Sequence, residues 1–173
     1  MLEAYLDIET TGLSATGGEI TVIGVHLTDG NSERFVQLIG EEITAGALLA
    51  VMEDVEVIYT YNGSRFDLPF IRACLGVDLR ERRRHRDLMY DCWRRGLYGG
   101  FKAVEARLGI CREIKNVSGY DAVILWWKYR NHGSAEALAL LLGYNREDVL
   151  NLRLLRERLP PGPICSHKPT KEP

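Results

Sequence analysis

The chain of 173 residues is 46% apolar and 27% charged, a balance that buries one core in a single domain of ordinary size and excludes a disordered or collagen-like chain. The formal net charge of −2 hides a split: residues 1–60 carry one basic residue, Arg34, against 11 acids, and residues 61–173 carry 21 Lys and Arg against 13 acids. The longest uncharged apolar runs, such as 122–127, fall far short of the roughly 18 residues that a membrane span needs, so no membrane association is expected.

In chain order, residues 3–9 read as a short strand followed by the polar turn Thr10-Thr11-Gly12-Leu13. Residues 20–28 and 32–39 are rich in β-branched residues, and Thr28-Asp29-Gly30-Asn31 between them is hairpin chemistry. Helix formers with an apolar face predict a helix over 43–53, and 56–61 reads as a fourth, buried strand. The proline at 69 suits a first helical turn and Gly76 a stop, which predicts a helix from Phe66 to Leu75. A fifth strand is expected over 85–90. Helices follow over 101–108, 120–131 and 134–159, the last with an expected break at Gly143. The proline-rich end, 160–173, reads as a flexible tail behind a domain of residues 1–159. Three hairpin-linked strands, then helix, strand, helix, strand and helices, describe an α/β fold: a mixed five-stranded sheet flanked by helices.

Four cysteines, Cys74, Cys92, Cys111 and Cys165, form no Cys-x-x-Cys pair, which argues against a zinc knuckle or a disulfide framework. The N-terminus has acids where a signal peptide has its apolar segment. Together these features lead to the expectation of reduced thiols in a cytoplasmic protein.

The chemistry-bearing residues fall into three groups. Asp7 and Glu9 are two apart in a strand, so their side chains leave the same face and can reach one point. Close unpaired carboxylates raise each other's pKa, and a hard divalent cation relieves that repulsion. Asp54 and Glu56 have the same spacing but sit at a strand entrance, where a solvated boundary is the simpler reading. Tyr144 and Asp148 are i and i+4 on a predicted helix, which stacks a phenol above a carboxylate; most such pairs merely lie at a surface. Asp67 opens a helix, and an N-cap is its plainest role. Among the tryptophans, adjacent Trp126 and Trp127 cannot share one helix face, so at least one is expected to be partly exposed.

Taken together, Asp7-Ile8-Glu9-Thr10-Thr11-Gly12-Leu13, Asn62 to Phe70 with Asp67, and Tyr144-Asn145-Arg146-Glu147-Asp148 resemble, in order, the three motifs of the DEDD exonucleases. Tyrosine four before the last aspartate is the mark of the DEDDy branch of these DnaQ-like proteins. Asn62 to Phe70, His85-Arg86-Asp87-Leu88 and the helix at 101–105 are most similar to YprB-type ribonuclease H-like domains. The resemblance covers residues 3–159 and implies a ribonuclease H-like fold and a 3′-to-5′ exonuclease with two Mg2+ or Mn2+ ions. It implies that Asp7 bridges both ions, that Glu9 and Asp148 complete the nucleophile-side ion and that Asp67 holds the leaving-group ion, with Tyr144 orienting the attacking water. It further implies contacts to the terminal nucleotide from Thr10, Thr11, Gly12, Leu13 and Asn62, with Leu13 as an apolar wedge. A turn residue at Gly12 and a core residue at Leu13 are the competing readings, and Asp87 is expected to be structural. The expected partner is single-stranded nucleic acid or a 3′ end, DNA or RNA, with room for a role as a subunit of a larger nucleic-acid-processing assembly. The arginine cluster 80–86, Arg94, Arg95 and Lys102 are candidates to follow a phosphate backbone, although on charge alone a solvated loop is the favoured reading of the cluster. The rival readings are a non-catalytic module that binds nucleic acid or a partner on the same fold, and an endonuclease with the same metal site.

Overall fold

A computed structural model of the chain describes residues 1–160; Cys165 and the expected tail beyond Pro160 lie outside the described residues. Strand β1 (Leu2–Thr10) pairs antiparallel with β2 (Ile20–Thr28), which pairs antiparallel with β3 (Glu33–Ile39). On the other side β1 pairs in parallel with β4 (Val55–Thr60), and β4 in parallel with β5 (Arg84–Asp87). The sheet order is β3-β2-β1-β4-β5, so the mixed five-stranded sheet is as expected. The β2–β3 hairpin closes where the Asp29 carboxylate accepts from the backbone N–H of Asn31 and Ser32, both at 2.8 Å. Every residue of β2 is buried, because strands of a sheet covered on both faces have no solvent side.

Helices α1 (Ala45–Val51) and α2 (Asp67–Leu75) join the strands, with Leu48, Leu68, Phe70 and Ile71 in the core beneath one face of the sheet. Gly76 ends α2 at φ 69°, a left-handed conformation that costs glycine nothing. Helix α3 (Leu88–Trp93) and α4 (Phe101–Arg107) precede α5 (Gly119–His132) and the long α6 (Ala135–Arg158). Helix α5 starts at a capping box in which Ser118 and Asp121 exchange hydrogen bonds. Helix α6 runs about 36 Å at 1.5 Å per residue, and buries Leu141, Val149, Leu152 and Leu155. Each such side chain contributes roughly 1.5–3 kcal/mol on leaving water.

Three sequence expectations need correction. The fifth strand does not reach Tyr90: Asp87 accepts from the Met89 N–H at 3.1 Å and caps a helix there. Helix α1 is shorter than 43–53, because Thr44 caps it through Ala47 N at 3.1 Å after a 3-10 turn at Gly40–Glu42. Helix α6 is unbroken at Gly143. A Cβ at that position would sit 2.9 Å from Ile114 Cδ1, so the glycine serves a close approach and not a break. Of the two adjacent tryptophans, Trp126 is buried and Trp127 exposed, and no helix of the described residues is long and apolar enough to cross a membrane.

Candidate active site

Strand β1 lies at the centre of the sheet, and its C-terminal half carries Asp7 and Glu9 on one face while Ile8 between them packs into the core. Helix α6 crosses that face and brings up Tyr144 and Asp148 from the far end of the sequence. Carboxylate oxygens of Asp7, Glu9 and Asp148 lie within 4.8 Å of one another. Asp67 enters from α2, where its Oδ1 accepts from the backbone N–H of Ile8 at 3.2 Å, between the two β1 acids. It is the first residue of α2 and the cap position belongs to Phe66, so the N-cap reading does not hold. All four acids, Tyr144, Asn62 and the 10–13 turn line one cleft of about 470 Å³. Asp54 and Glu56, with the same spacing as Asp7 and Glu9, are exposed and play no part in it.

The approach of α6 depends on Gly24 of β2, the register partner of Asp7. A Cβ there would overlap the Asn145 amide and press on Val149. Asn145 is fully buried; its Nδ2 donates to the Asp7 backbone oxygen at 3.3 Å and to Asp7 Oδ2 at 3.2 Å. Gln37 of β3 holds Asn145 in turn, donating to its Oδ1 at 2.9 Å.

Burial dominates the electrostatics. Desolvation, followed by the charge of Asp148 and of the other acids, holds the Asp7 and Glu9 carboxyls well above the ordinary carboxylate range. Burial pushes Asp67 up to about 7, against opposing backbone hydrogen bonds. Burial also raises Asp148, with the Arg112 guanidinium working the other way. Tyr144 is pushed above the usual phenol range by burial and then by Asp148, Glu9 and Asp7. A phenol in that setting keeps its proton at neutral pH and can donate a hydrogen bond.

The donor set fits a hard divalent cation: several clustered carboxylates, buried, raised in pKa by burial and by one another's charge, with no imidazole or thiolate among them. Where they converge, a cation would supply the counter-charge that their mutual repulsion calls for.

The residues around the cleft differ in what they touch. Leu13 is 93% exposed, which removes the core reading and leaves an apolar side chain standing free at the rim. Gly12 has negative φ, and a methyl group in place of its hydrogen would meet nothing within 4 Å, so its turn does not demand glycine. Thr11 closes the 10–19 loop: its N–H donates to the Glu19 carbonyl at 2.9 Å and its hydroxyl accepts from the Glu19 N–H at 3.0 Å. Thr10 donates to the Gly12 carbonyl at 2.7 Å. Asn62 adopts φ 63° in the turn before α2, and its N–H donates to Asp87 Oδ1 at 2.7 Å. Asp87 also receives the N–H and hydroxyl of Ser64 at 3.0 and 2.5 Å, which is the structural role expected of it.

Of the basic residues singled out in the sequence, only Lys102 reaches the site, with Nζ 4.6 Å from the Tyr144 ring centre and donating to the Val117 carbonyl. The arginine cluster lies where β1, β4 and β5 begin: Arg84 is in register with Val57, itself opposite Glu3, and Arg83 holds the Met52 carbonyl at 2.7 and 3.0 Å. Arg80 and Arg86 pair with Asp78 and Asp91, Arg94 pairs with Asp91, and Arg95 holds the carbonyls of Asp91 and Pro160. Arg83 and Arg84 are therefore at the opposite end of the sheet from the acids, while Arg86, opposite Tyr59 and through it level with Tyr5, stands midway. Sequence reasoning missed Arg112, which donates to Asp148 and Glu105, and missed the bracing pair Asn145 and Gln37. Asn145 stood one residue after a singled-out tyrosine, whereas Arg112 lies in a loop with no periodic pattern to mark it.

Residues 4–160 match the family model of the RNase_H superfamily, and the chain belongs to that superfamily. No curated protein matches the sequence significantly. Among solved structures, the fold resembles the family B DNA polymerase of the hyperthermophilic archaeon Pyrobaculum calidifontis, with TM-score 0.71, 21% identity and 92% of this chain covered. The likeness takes in 24% of the polymerase chain, so this chain spans about a quarter of its length. Brucella melitensis NrnC bound to pGG matches with TM-score 0.61 and 20% identity over 91% of this chain and 71% of that one. The same protein with bound Mg2+ matches with TM-score 0.58 and 17% identity over 91% and 73%. At such identities these likenesses concern the fold, an RNase H-like sheet shared with nucleases.

Proposed function

We propose that this chain is a 3′-to-5′ exonuclease of the DEDDy type that hydrolyses phosphodiester bonds with two divalent ions, Mg2+ or Mn2+. The observation that carries the proposal is the convergence of three carboxylates within 4.8 Å, with Asp67 and Tyr144 lining the same cleft. The order and spacing of those residues resemble the three motifs of that group, and NrnC, a neighbour in fold, binds pGG and Mg2+.

In this reading Asp7, Glu9, Asp67 and Asp148 hold the ions, which when bound supply Lewis-acid charge neutralisation and a more acidic attacking water. Tyr144, with its proton retained, orients that water through its hydroxyl and is no general base. Asn145 keeps the Asp7 carboxylate turned toward the cleft. Leu13, free at the rim, wedges against the last base, and Thr10, Thr11, Gly12 and Asn62 border the terminal nucleotide. Lys102 lies close enough to Tyr144 to meet an incoming phosphate.

The test is incubation of the purified protein with 5′-labelled single-stranded DNA and RNA oligonucleotides and Mn2+ or Mg2+, with Asp7→Asn as control. A ladder that shortens from the 3′ end is expected, absent in the control. A single internal cut would reassign the site to an endonuclease, and intact oligonucleotide under both metals would make the chain a binding module.

A further inference from the structure

Arg112 lies in the loop between α4 and α5, outside all three motifs, yet it is almost wholly buried beside the acids. Its guanidinium grips Glu105 in a two-pronged pair, Nε to Oε2 at 2.6 Å and Nη2 to Oε1 at 2.8 Å. Nη2 also donates to Asp148 Oδ1, and among the described residues no donor reaches Oδ2 of that carboxylate. Glu105 is 1% exposed and takes a further hydrogen bond from Asn151 Nδ2 at 2.8 Å. The Phe101 ring covers the guanidinium at 5.5 Å. Two residues a turn apart on α4, Phe101 and Glu105, thus hold Arg112 against Asp148 on α6, and Asn151, a turn further along α6, holds Glu105. Glu147 secures the same loop, accepting from the N–H groups of Glu113 at 2.5 Å and Ile114 at 3.3 Å.

We propose that Arg112 is a positioning residue: braced by Glu105, it fixes one oxygen of Asp148 and so presents the other to the ion shared with Asp7 and Glu9. This rests on the reading of Asp148 as a metal ligand. The guanidinium lies among Glu105, Asp148 and, at 3.8 Å, Glu147, so it both offsets the charge of Asp148 and fixes the direction of its carboxylate. A planar fork can bridge two carboxylates in fixed geometry, and an ammonium cannot. Groups that hydrogen-bond to metal-ligating carboxylates are worth roughly 10–100-fold in metal affinity or activity.

The test is the Mn2+ dissociation constant, by calorimetry or by electron paramagnetic resonance, in wild type and two variants shown to be folded by circular dichroism. Arg112→Lys keeps the charge and loses the fork. The double variant Glu105→Leu/Arg112→Met removes the pair as a unit, so that neither Glu105 nor Arg112 is left buried without the other. The expected result is Mn2+ binding weakened about 10–100-fold in the double variant, with Arg112→Lys also weaker than wild type but by less. A merely structural arginine would lower the melting temperature and leave Mn2+ affinity untouched, which would overturn the role; so would tighter binding, the mark of a cation competing with the ion. Should the double variant not fold, Arg112→Lys decides alone: affinity equal to wild type overturns the proposal. If wild type binds no Mn2+ while folded, the metal reading of Asp148 itself fails and takes this role with it.

Discussion

Asp7, Glu9, Asp67 and Asp148 are held where ionisation is unfavourable, since burial raises all four carboxyls above their ordinary values. An acid whose pKa is higher folded than unfolded binds protons on folding. The stability it lends is present below the unfolded value, near 4 for Asp, and is lost as pH rises through the folded one, about 7 for Asp67. His26 and His85, which burial lowers, act in the opposite sense over the lower range, so the carboxylates are best read above pH ~6.5. The melting temperature of chelator-treated protein should therefore fall between about pH 6.5 and 8, and Mn2+ should restore more of it at the upper end. A flat or rising profile in that window would contradict the electrostatic picture. The same reasoning predicts that Asp7→Asn raises the metal-free melting temperature while cleavage drops by roughly 100-fold or more, a separation of stability from function. Tyr144→Phe removes one orienting hydrogen bond, worth about 1 kcal/mol, and should cost about tenfold in rate. Equal loss in both variants, measured as kcat on a labelled oligonucleotide, would contradict the division of labour.

Helix α6 reaches the acids only because β2 carries glycine at position 24, where any Cβ would overlap the Asn145 amide. Gly24→Ala should lower the melting temperature by roughly 3–10 °C, the range expected for an overpacked core site. It should also cut cleavage below the level that lost stability explains, because Asn145 turns the Asp7 carboxylate. A variant with wild-type melting and wild-type rate would show that the contact is dispensable. This dependence was not legible beforehand: Gly24 sits in a β-branched strand, and nothing local says which helix crosses it. Element boundaries were readable where a cap was local. Gly76 ended α2 and the Asp29 turn closed the hairpin. They were misread where the deciding atom was a side chain with two uses. Asp87 continues β5 by its position yet starts α3 by capping Met89, while its other hydrogen bonds tie down Asn62 and Ser64.

Across the whole molecule, charge in the sequence and charge in space tell different stories. The basic half of the chain permits a polyanion partner, yet Arg83 and Arg84 sit where β1, β4 and β5 begin, and Arg80, Arg83 and Arg86 are engaged with Asp78, the Met52 carbonyl and Asp91. The acids lie toward the other end of β1, with Lys102 beside them. Arg82→Ala combined with Arg84→Ala should therefore leave kcat/KM on a short single-stranded substrate within about twofold, given the small effects of surface charges beyond a Debye length of ~8–10 Å. A tenfold loss would bring the cluster back into the substrate path. The motif acids were legible as a set through their resemblance to the DEDD motifs, since strand period two and helix period four pair only Asp7 with Glu9 and Tyr144 with Asp148 and leave Asp67 apart. What brings the two pairs together, a sheet in the order β3-β2-β1-β4-β5 with α6 laid across its centre, is a long-range property that no window of the sequence contains. The most direct measurement of the central claim is an anomalous difference map from crystals soaked in Mn2+. Two peaks bounded by Asp7, Glu9, Asp67 and Asp148, and lost in Asp148→Ala, are predicted; a map empty at that cleft, from crystals whose protein still cuts oligonucleotides, would contradict the account.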